Sequence, residues 1–344
     1  MTNLYRGVAR VLCVVAVVLS PAGVGRQTVA AQGSSPTPAD RGRFPGAYEL
    51  VTIEIKDPAN GRWITRPGFN SNGYIIYAET GHMGVHIMPK VRQRFAGPVP
   101  TADEALDALR GYTAYFGSFT VNDAGHERFV VHRRFGQINP GGTVEIRRYY
   151  DFETTPNGSV RLILTPPAPD GSKEHARVRL VWQRMADAPL SSEAKKFVGF
   201  WRLLYTDTYR AVDGREVFHG DKVETRAGTS YIIYAPSGHM MVHLMTREGR
   251  TKYAGLQPTP DEAFQAYRTY TGYFGRFTTY ENHDPPFVYH SQQGSLAPGG
   301  YSEQKRFYQF TGNVLRLAPP LARNAAGEMQ QGHLYWEKQG AVGQ

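Results

Sequence analysis

The feature that most restricts what this chain can become is that it repeats itself. Tyr74-Ile75-Ile76-Tyr77 returns as Tyr231-Ile232-Ile233-Tyr234, 157 positions later. Gly81-His82-Met83-Gly84-Val85-His86 returns at the same offset as Gly238-His239-Met240-Met241-Val242-His243. One inserted residue shifts the offset to 158, at which Ala96-Gly97, Asp103-Glu104-Ala105, Tyr115-Phe116-Gly117, His132, Pro140-Gly141-Gly142 and Arg148 all find partners. Leu180-Val181-Trp182 matches Leu334-Tyr335-Trp336 near the ends. A period this long exceeds any solenoid unit, so each copy is expected to be a complete domain with its own core.

Copy one is read as residues 44–185 and copy two as 197–339, joined by a linker over 186–196 whose Ala-Asp-Ala-Pro-Leu-Ser-Ser start is small and polar. The Ser/Pro-rich stretch 32–43 is expected to be disordered. Each copy is expected to fold alone when the chain is cut near Pro189. Within a copy, strands dominate. Segments 74–77, 82–88, 129–134, 143–152, 160–165 and 177–183 are rich in β-branched and aromatic residues and bounded by turn residues. One helix interrupts them, announced by the capping boxes Thr101-Ala102-Asp103-Glu104 and Thr259-Pro260-Asp261-Glu262. Many short antiparallel strands with one helix point to a closed barrel, so the fold expected is all-β, two tandem antiparallel barrels.

Gly199-Phe200-Trp201 opens copy two, with Gly46-Ala47-Tyr48 in its place in copy one. A Gly-x-Trp on the first strand resembles the lipocalin signature, in which the ring closes the barrel floor beneath a basic side chain of the last strand. Arg184 and Lys338 stand where that side chain would be. Each copy is more closely similar to the lipocalin-like domain family. Its pattern is matched here by Tyr77 to Val85, a capped helix from Thr101 to Tyr112, and a turn from Tyr115 to Phe119. Val130 to His132, the Pro140-Gly141 turn and a strand from Arg148 to Tyr150 complete it. The resemblance covers nearly all of both copies. It implies a lipocalin-like barrel with a cavity and does not imply one reaction.

Among the repeated polar residues, the group His86, Tyr115, His132 and Arg148 recurs as His243, Tyr273, His290 and Arg306. Two readings stay open: a structural network that fixes barrel register, or donors and an Arg anchor aimed at a ligand. Side chains alternate along a strand, so His82, Gly84, His86 and Met88 share one face, and Met83, Val85 and Ile87 the other. The pattern alone does not say which face points inward. His82 and His86 lie about 13 Å apart along a strand and cannot hold one metal ion through it. No metal or cofactor is expected. No nucleophile elbow, Walker loop, Rossmann glycine pattern, HExxH or EF-hand is present. The pairs Asp103-Glu104 and Asp261-Glu262 begin helices, where they favour the dipole, and make poor glycosidase dyads.

Arg6 and Arg10 precede an apolar run from Val11 to Leu19, and Val29-Ala30-Ala31 follows. That is the order of a secretory signal peptide, with cleavage expected after Ala31 and a secreted or periplasmic product. Removal of residues 1–31 takes away the single Cys13 and three arginines, and lowers the formal charge from +9 to +6. Without a Lys/Arg block the remaining charge argues against a nucleic-acid partner, and the apolar run is too short to leave a span in the mature chain. The expected product is a monomer, an internal pseudo-dimer. It binds a small hydrophobic or amphipathic molecule through Tyr115, His132, Arg148 and their neighbours. A cofactor-free isomerase or cyclase using the same His/Tyr/Arg group and a structural module with filled barrels are the alternatives.

Overall fold

The computed structural model describes residues 40–124, 126–168, 177–212, 215–299 and 302–343. The expected signal peptide and residues 32–39 lie outside the described residues. Copy one supplies β1 (Gly46–Lys56), β2 (Trp63–Thr65), β3 (Ser71–Tyr77), β4 (His82–Pro89) and β5 (Thr113–Asn122). After these come β6 (Phe129–Gln137), β7 (Glu145–Thr154), β8 (Val160–Thr165) and β9 (Val178–Arg184). Copy two supplies β10 (Gly199–Val212), β11 (Arg215–His219), β12 (Tyr231–Tyr234), β13 (His239–Met245) and β14 (Tyr270–Tyr280). The chain then runs through β15 (Phe287–Ser295), β16 (Glu303–Thr311), β17 (Val314–Ala318), β18 (Ala322–Arg323) and β19 (Met329–Lys338).

All pairings within each sheet are antiparallel, and each sheet closes on itself. β1 pairs with both β3 and β9, and β10 with both β12 and β19, which makes two eight-stranded barrels with β2, β11 and β18 as appendages. Closure removes the exposed edges that an open sheet would have to protect. The expected helix is α1 (Ala102–Leu109) in copy one, and both halves of its capping box are formed. Its counterpart after the α2 helix (Ser192–Phe197) is α3 (Pro260–Arg268), capped in the same way by Thr259 and Glu262.

Three expectations change. The stretch Tyr115 to Phe119, read as a turn, is the middle of β5. There Gly117 sits at a register shift against β6, and a side chain on it would lie 1.9 Å from the Arg133 carbonyl oxygen. Gly275 repeats the arrangement 2.0 Å from the Ser291 carbonyl, so the glycine that resembled a turn residue lies opposite a bulge, whose extra residue is Phe135 on β6 and Gln293 on β15. Asp40–Arg43, inside the stretch expected to be disordered, forms a 3-10 turn with Asp40 buried. The second half of the expected linker is α2.

These two short helices do equivalent work. Each ends one residue or less from a phenylalanine, Phe44 or Phe197, that is fully buried in a ring of aromatics at one end of its barrel. Beside it Trp201 donates its indole N–H to the Phe197 carbonyl at 2.7 Å, with the Lys338 ammonium 5.3 Å from the ring centre. Tyr48 fills that place in copy one and donates to the Arg43 carbonyl at 2.6 Å. Trp201→Ala is therefore expected to cost about 3–5 kcal/mol, because a buried aromatic and its hydrogen bond go together. A urea titration showing less than about 1 kcal/mol would contradict this role for the ring.

Burial in β3 and β4 is nearly continuous: Gly73 to Tyr77 and His82 to His86 are all buried. Strands covered on both faces read this way, and here the second cover is the other barrel. Tyr48, Ile75, Tyr77, Met83, Val85 and Trp182 belong to the core inside barrel one. Their counterparts Trp201, Ile232, Tyr234, Met240, Val242 and Trp336 fill barrel two. A third core mixes the copies, with Tyr74, Ile76, Met88 and Phe116 against Tyr231, Ile233, Met245 and Phe274, and the two barrels fall in one compact unit.

The contact between copies is reciprocal, as in an isologous dimer. Arg92 donates to the carbonyls of Ser295 and Leu296 at 2.6 and 2.7 Å. Its counterpart Arg250 donates to those of Gln137 and Ile138 at 2.7 and 2.8 Å. The molecule is a pseudo-dimer made of one chain.

Candidate functional site

The eight residues singled out in the sequence divide into two places. Met83 and Val85 face into barrel one, which puts His82, Gly84, His86 and Met88 on the outer face of β4. His86 and His243 therefore leave the expected group. They meet at the pseudo-twofold axis, fully buried, with ring centres 4.2 Å apart and planes within 11°. His86 Nε2 donates to the Val242 carbonyl at 3.2 Å, which leaves Nδ1 to accept from the Tyr112 hydroxyl at 2.9 Å. His243 Nδ1 lies 2.6 Å from the Tyr270 hydroxyl. Burial pushes the His86 pKa down to about 3, and burial and then its stacked partner push His243 down as well. The pair is a neutral seam between barrels, separated by the barrel wall from any interior site.

The other six do converge, three in each barrel. His132 sits on β6 beside Arg148, because Val130 pairs with Arg148 and alternation turns all three inward. The His132 ring is held between two tyrosines, Tyr77 at 2.9 Å from Nε2 and Tyr115 at 3.0 Å from Nδ1. Copy two repeats the arrangement around His290, with Tyr234 at 2.9 Å from Nε2 and Tyr273 at 2.9 Å from Nδ1. A neutral imidazole has one donor and one acceptor nitrogen, so one tyrosine of each pair donates and the other accepts. Burial pushes both histidines down to about 3, and the nearby Arg148 and Arg306 push the same way. Burial raises the pKa of Tyr115 and Tyr273, so hydroxyl and imidazole stay neutral across the ordinary pH range.

The arginines are half-buried at the rim of this group. Arg306 interacts with the Tyr273 hydroxyl and donates from Nη1 to the Lys305 carbonyl at 2.9 Å and from Nη2 to Gln304. Arg134, which was not singled out, lies over the Tyr115 ring at 5.8 Å and adds a second cation near His132. Its counterpart in copy two is Gln292.

In barrel two these residues border a cavity of about 710 Å³. Its walls are apolar, with Ile232, Val242, Leu244, Leu317, Leu334 and Trp336. Tyr273, His290, Gln292, Gln304 and Arg306 supply its polar groups. The size and this mixture are those of a small-molecule pocket. The buried indole N–H of Trp336 meets no acceptor among the described residues, and Trp182 repeats this in barrel one.

Sequence reasoning missed Tyr77 and Tyr234, although both are the last residue of the repeated Tyr-Ile-Ile-Tyr. Gln304 carried no signal, since Ile146 stands in its place in copy one.

Comparison with known proteins adds to this geometry. The family described as "Lipocalin-like domain" matches residues 45–185 and again 198–339. No curated protein matches the chain. Solved structures similar to it include a "putative outer membrane protein" from Bacteroides fragilis NCTC 9343. That match has 7% identity and a TM-score of 0.24, over 87% of this chain and 98% of that one. Another is a protein of unknown function of the DUF3598 family from Nostoc punctiforme PCC 73102. It has 9% identity and a TM-score of 0.20, over 86% of this chain and 96% of that one. At such scores neither likeness carries an argument about this chain.

Proposed function

The chain belongs to the lipocalin-like domain family, in two tandem copies, and from that premise we propose that it is an exported binding protein. It holds a small, mostly apolar molecule with one polar group inside the barrel. The observation that carries this reading is the cavity of barrel two, about 710 Å³ with apolar walls and a polar group at one side. Barrels of this strand number either fill with side chains or keep room for one small ligand, and this one keeps room. The open cavity speaks against a filled structural module.

Binding is favoured over catalysis by the state of the polar group. Both nitrogens of His290 are occupied by tyrosine hydroxyls, and its pKa of about 3 removes it as a proton acceptor near neutral pH. Such a group orients a ligand and moves no proton. Export rests on Arg6, Arg10, the apolar run to Leu19 and the small residues up to Ala31. No helix of the described residues is long and apolar enough to cross a membrane.

Nile red, a neutral apolar dye, tests the cavity. Titrated into the full chain it is expected to bind saturably at micromolar concentration with a blue-shifted emission. Leu244→Trp places an indole in the cavity and is expected to weaken that binding about tenfold or more. A wild-type chain that shows no saturable binding would remove the proposal.

A further inference from the structure

We propose that barrel two selects amphiphiles that end in a singly charged carboxylate, seated on Arg306 and Tyr273. This rests on the cavity reading and adds the chemistry of the ligand's polar end. Arg306 borders the cavity half-buried, and no Asp or Glu among the described residues forms an ion pair with it. A cation withdrawn from water without a counter-charge is costly, and an incoming anion offsets that cost. Besides its contact with the Tyr273 hydroxyl, the guanidinium donates to Lys305 and Gln304, which leaves N–H groups over, and the planar fork suits a carboxylate.

The neighbouring hydroxyl cooperates. If Nδ1 of His290 carries the proton, it donates to Tyr273, while Tyr234 donates to Nε2. The Tyr273 O–H is then left to donate to a ligand oxygen beside the guanidinium. A bound carboxylate would itself favour that tautomer.

The difference between the copies bears on the charge of the head group. Barrel one brings two arginines, Arg134 and Arg148, to its Tyr115–His132 pair. Barrel two has Gln292 in place of Arg134, which among the described residues leaves Arg306 as the one arginine beside the Tyr273–His290 pair and matches a monoanion there. Arg268, which also lines the cavity, is solvent-exposed at the end of α3. Val178 packs against the core of barrel one, while its counterpart Gly332 shares a face of β19 with Leu334 and Trp336. A side chain at Gly332 would meet no atom within 4 Å, so copy two carries less side-chain cover on this face of β19 than copy one does. An apolar tail would lie against Leu244, Leu317 and Leu334, which line the cavity.

The test uses dodecanoate and 1-dodecanol as competitors for the part of the Nile red signal that Leu244→Trp removes. At pH 7.5 the carboxylate is expected to displace the dye about tenfold more effectively than the alcohol, the range of one charge-assisted hydrogen-bonded contact. That ratio is expected to fall below about threefold in Arg306→Gln and to be largely kept in Arg306→Lys, which retains the charge. Equal displacement by acid and alcohol in the wild-type chain overturns the carboxylate inference and leaves the cavity reading standing. Saturable dye binding that neither competitor displaces also overturns it. An unchanged ratio in a folded Arg306→Gln chain overturns the assignment to Arg306. Absence of any dye signal defeats the cavity reading instead.

Discussion

Severed between Pro189 and Leu190, the chain is expected to yield halves that do not persist as free, fully stable monomers. Residues 40–189 retain the core inside barrel one but expose Tyr74, Ile76, Met88, Tyr112 and Phe116, all buried in the intact chain against the other copy. At about 1.5–3 kcal/mol for each fully buried large apolar side chain, these five account for on the order of 10 kcal/mol. A whole domain is stable by only about 5–15 kcal/mol. The half should therefore melt well below the intact protein and self-associate through the bared face, and adding residues 190–343 should restore stability. Sedimentation and melting curves check this. A monodisperse half that melts at the temperature of the intact chain would show that the shared core contributes little. The sequence-based expectation of two independent domains thus needs revision: the repeat marks two barrels and three cores.

Acid is expected to destabilise the protein steeply. His86, His132, His243 and His290 are fully buried, and burial holds all four far below the ordinary histidine pKa. Once unfolded they titrate near 6.5, the ordinary histidine value. Below that pH the unfolded chain binds protons that the folded chain refuses, so stability is full above about pH 6.5 and falls as the pH drops toward 3. Each histidine contributes about 1.4 kcal/mol per pH unit, and the four together about 8 kcal/mol by pH 5. The urea midpoint should fall markedly between pH 7.5 and pH 5, and His132→Gln should flatten the dependence by about a quarter. A midpoint that stays constant over that interval would mean that these imidazoles are hydrated or protonated in the native state.

How much of this was legible in the chain depends on what repetition can and cannot report. The repeat located both copies, and the capping boxes at Thr101 and Thr259 placed the start of both helices within a residue, while their ends fall at Leu109 and Arg268, short of Tyr112 and Tyr270. Tyr115, His132 and Arg148 could be grouped because each recurs, and they do come together. His86 recurs equally well and belongs elsewhere. Period-two alternation names an inner face only when the outer face is wet, and on β4 both faces are buried. A residue held by symmetry at an interface repeats as faithfully as one held by a ligand. Conversely, Gln304 and Gln292 line the cavity where copy one has Ile146 and Arg134, and a search for sameness passes over them.

One consequence of the seam between the barrels concerns ancestry and the freedom that fusion brings. Gly84 and Met241 are equivalent positions, and a Cβ on Gly84 would stand 2.6 Å from the Met241 sulfur. In a homodimer of separate subunits a residue that meets its own copy across the axis must be the same on both sides. Two methionines there would collide, and two glycines would leave a gap. Placing both copies in one polypeptide lifts that identity requirement, so a protrusion on one subunit can evolve to fit a hollow on the other. The same release lets Arg134 have Gln292 as its counterpart and Val178 have Gly332: once joined, twin barrels no longer have to be furnished alike.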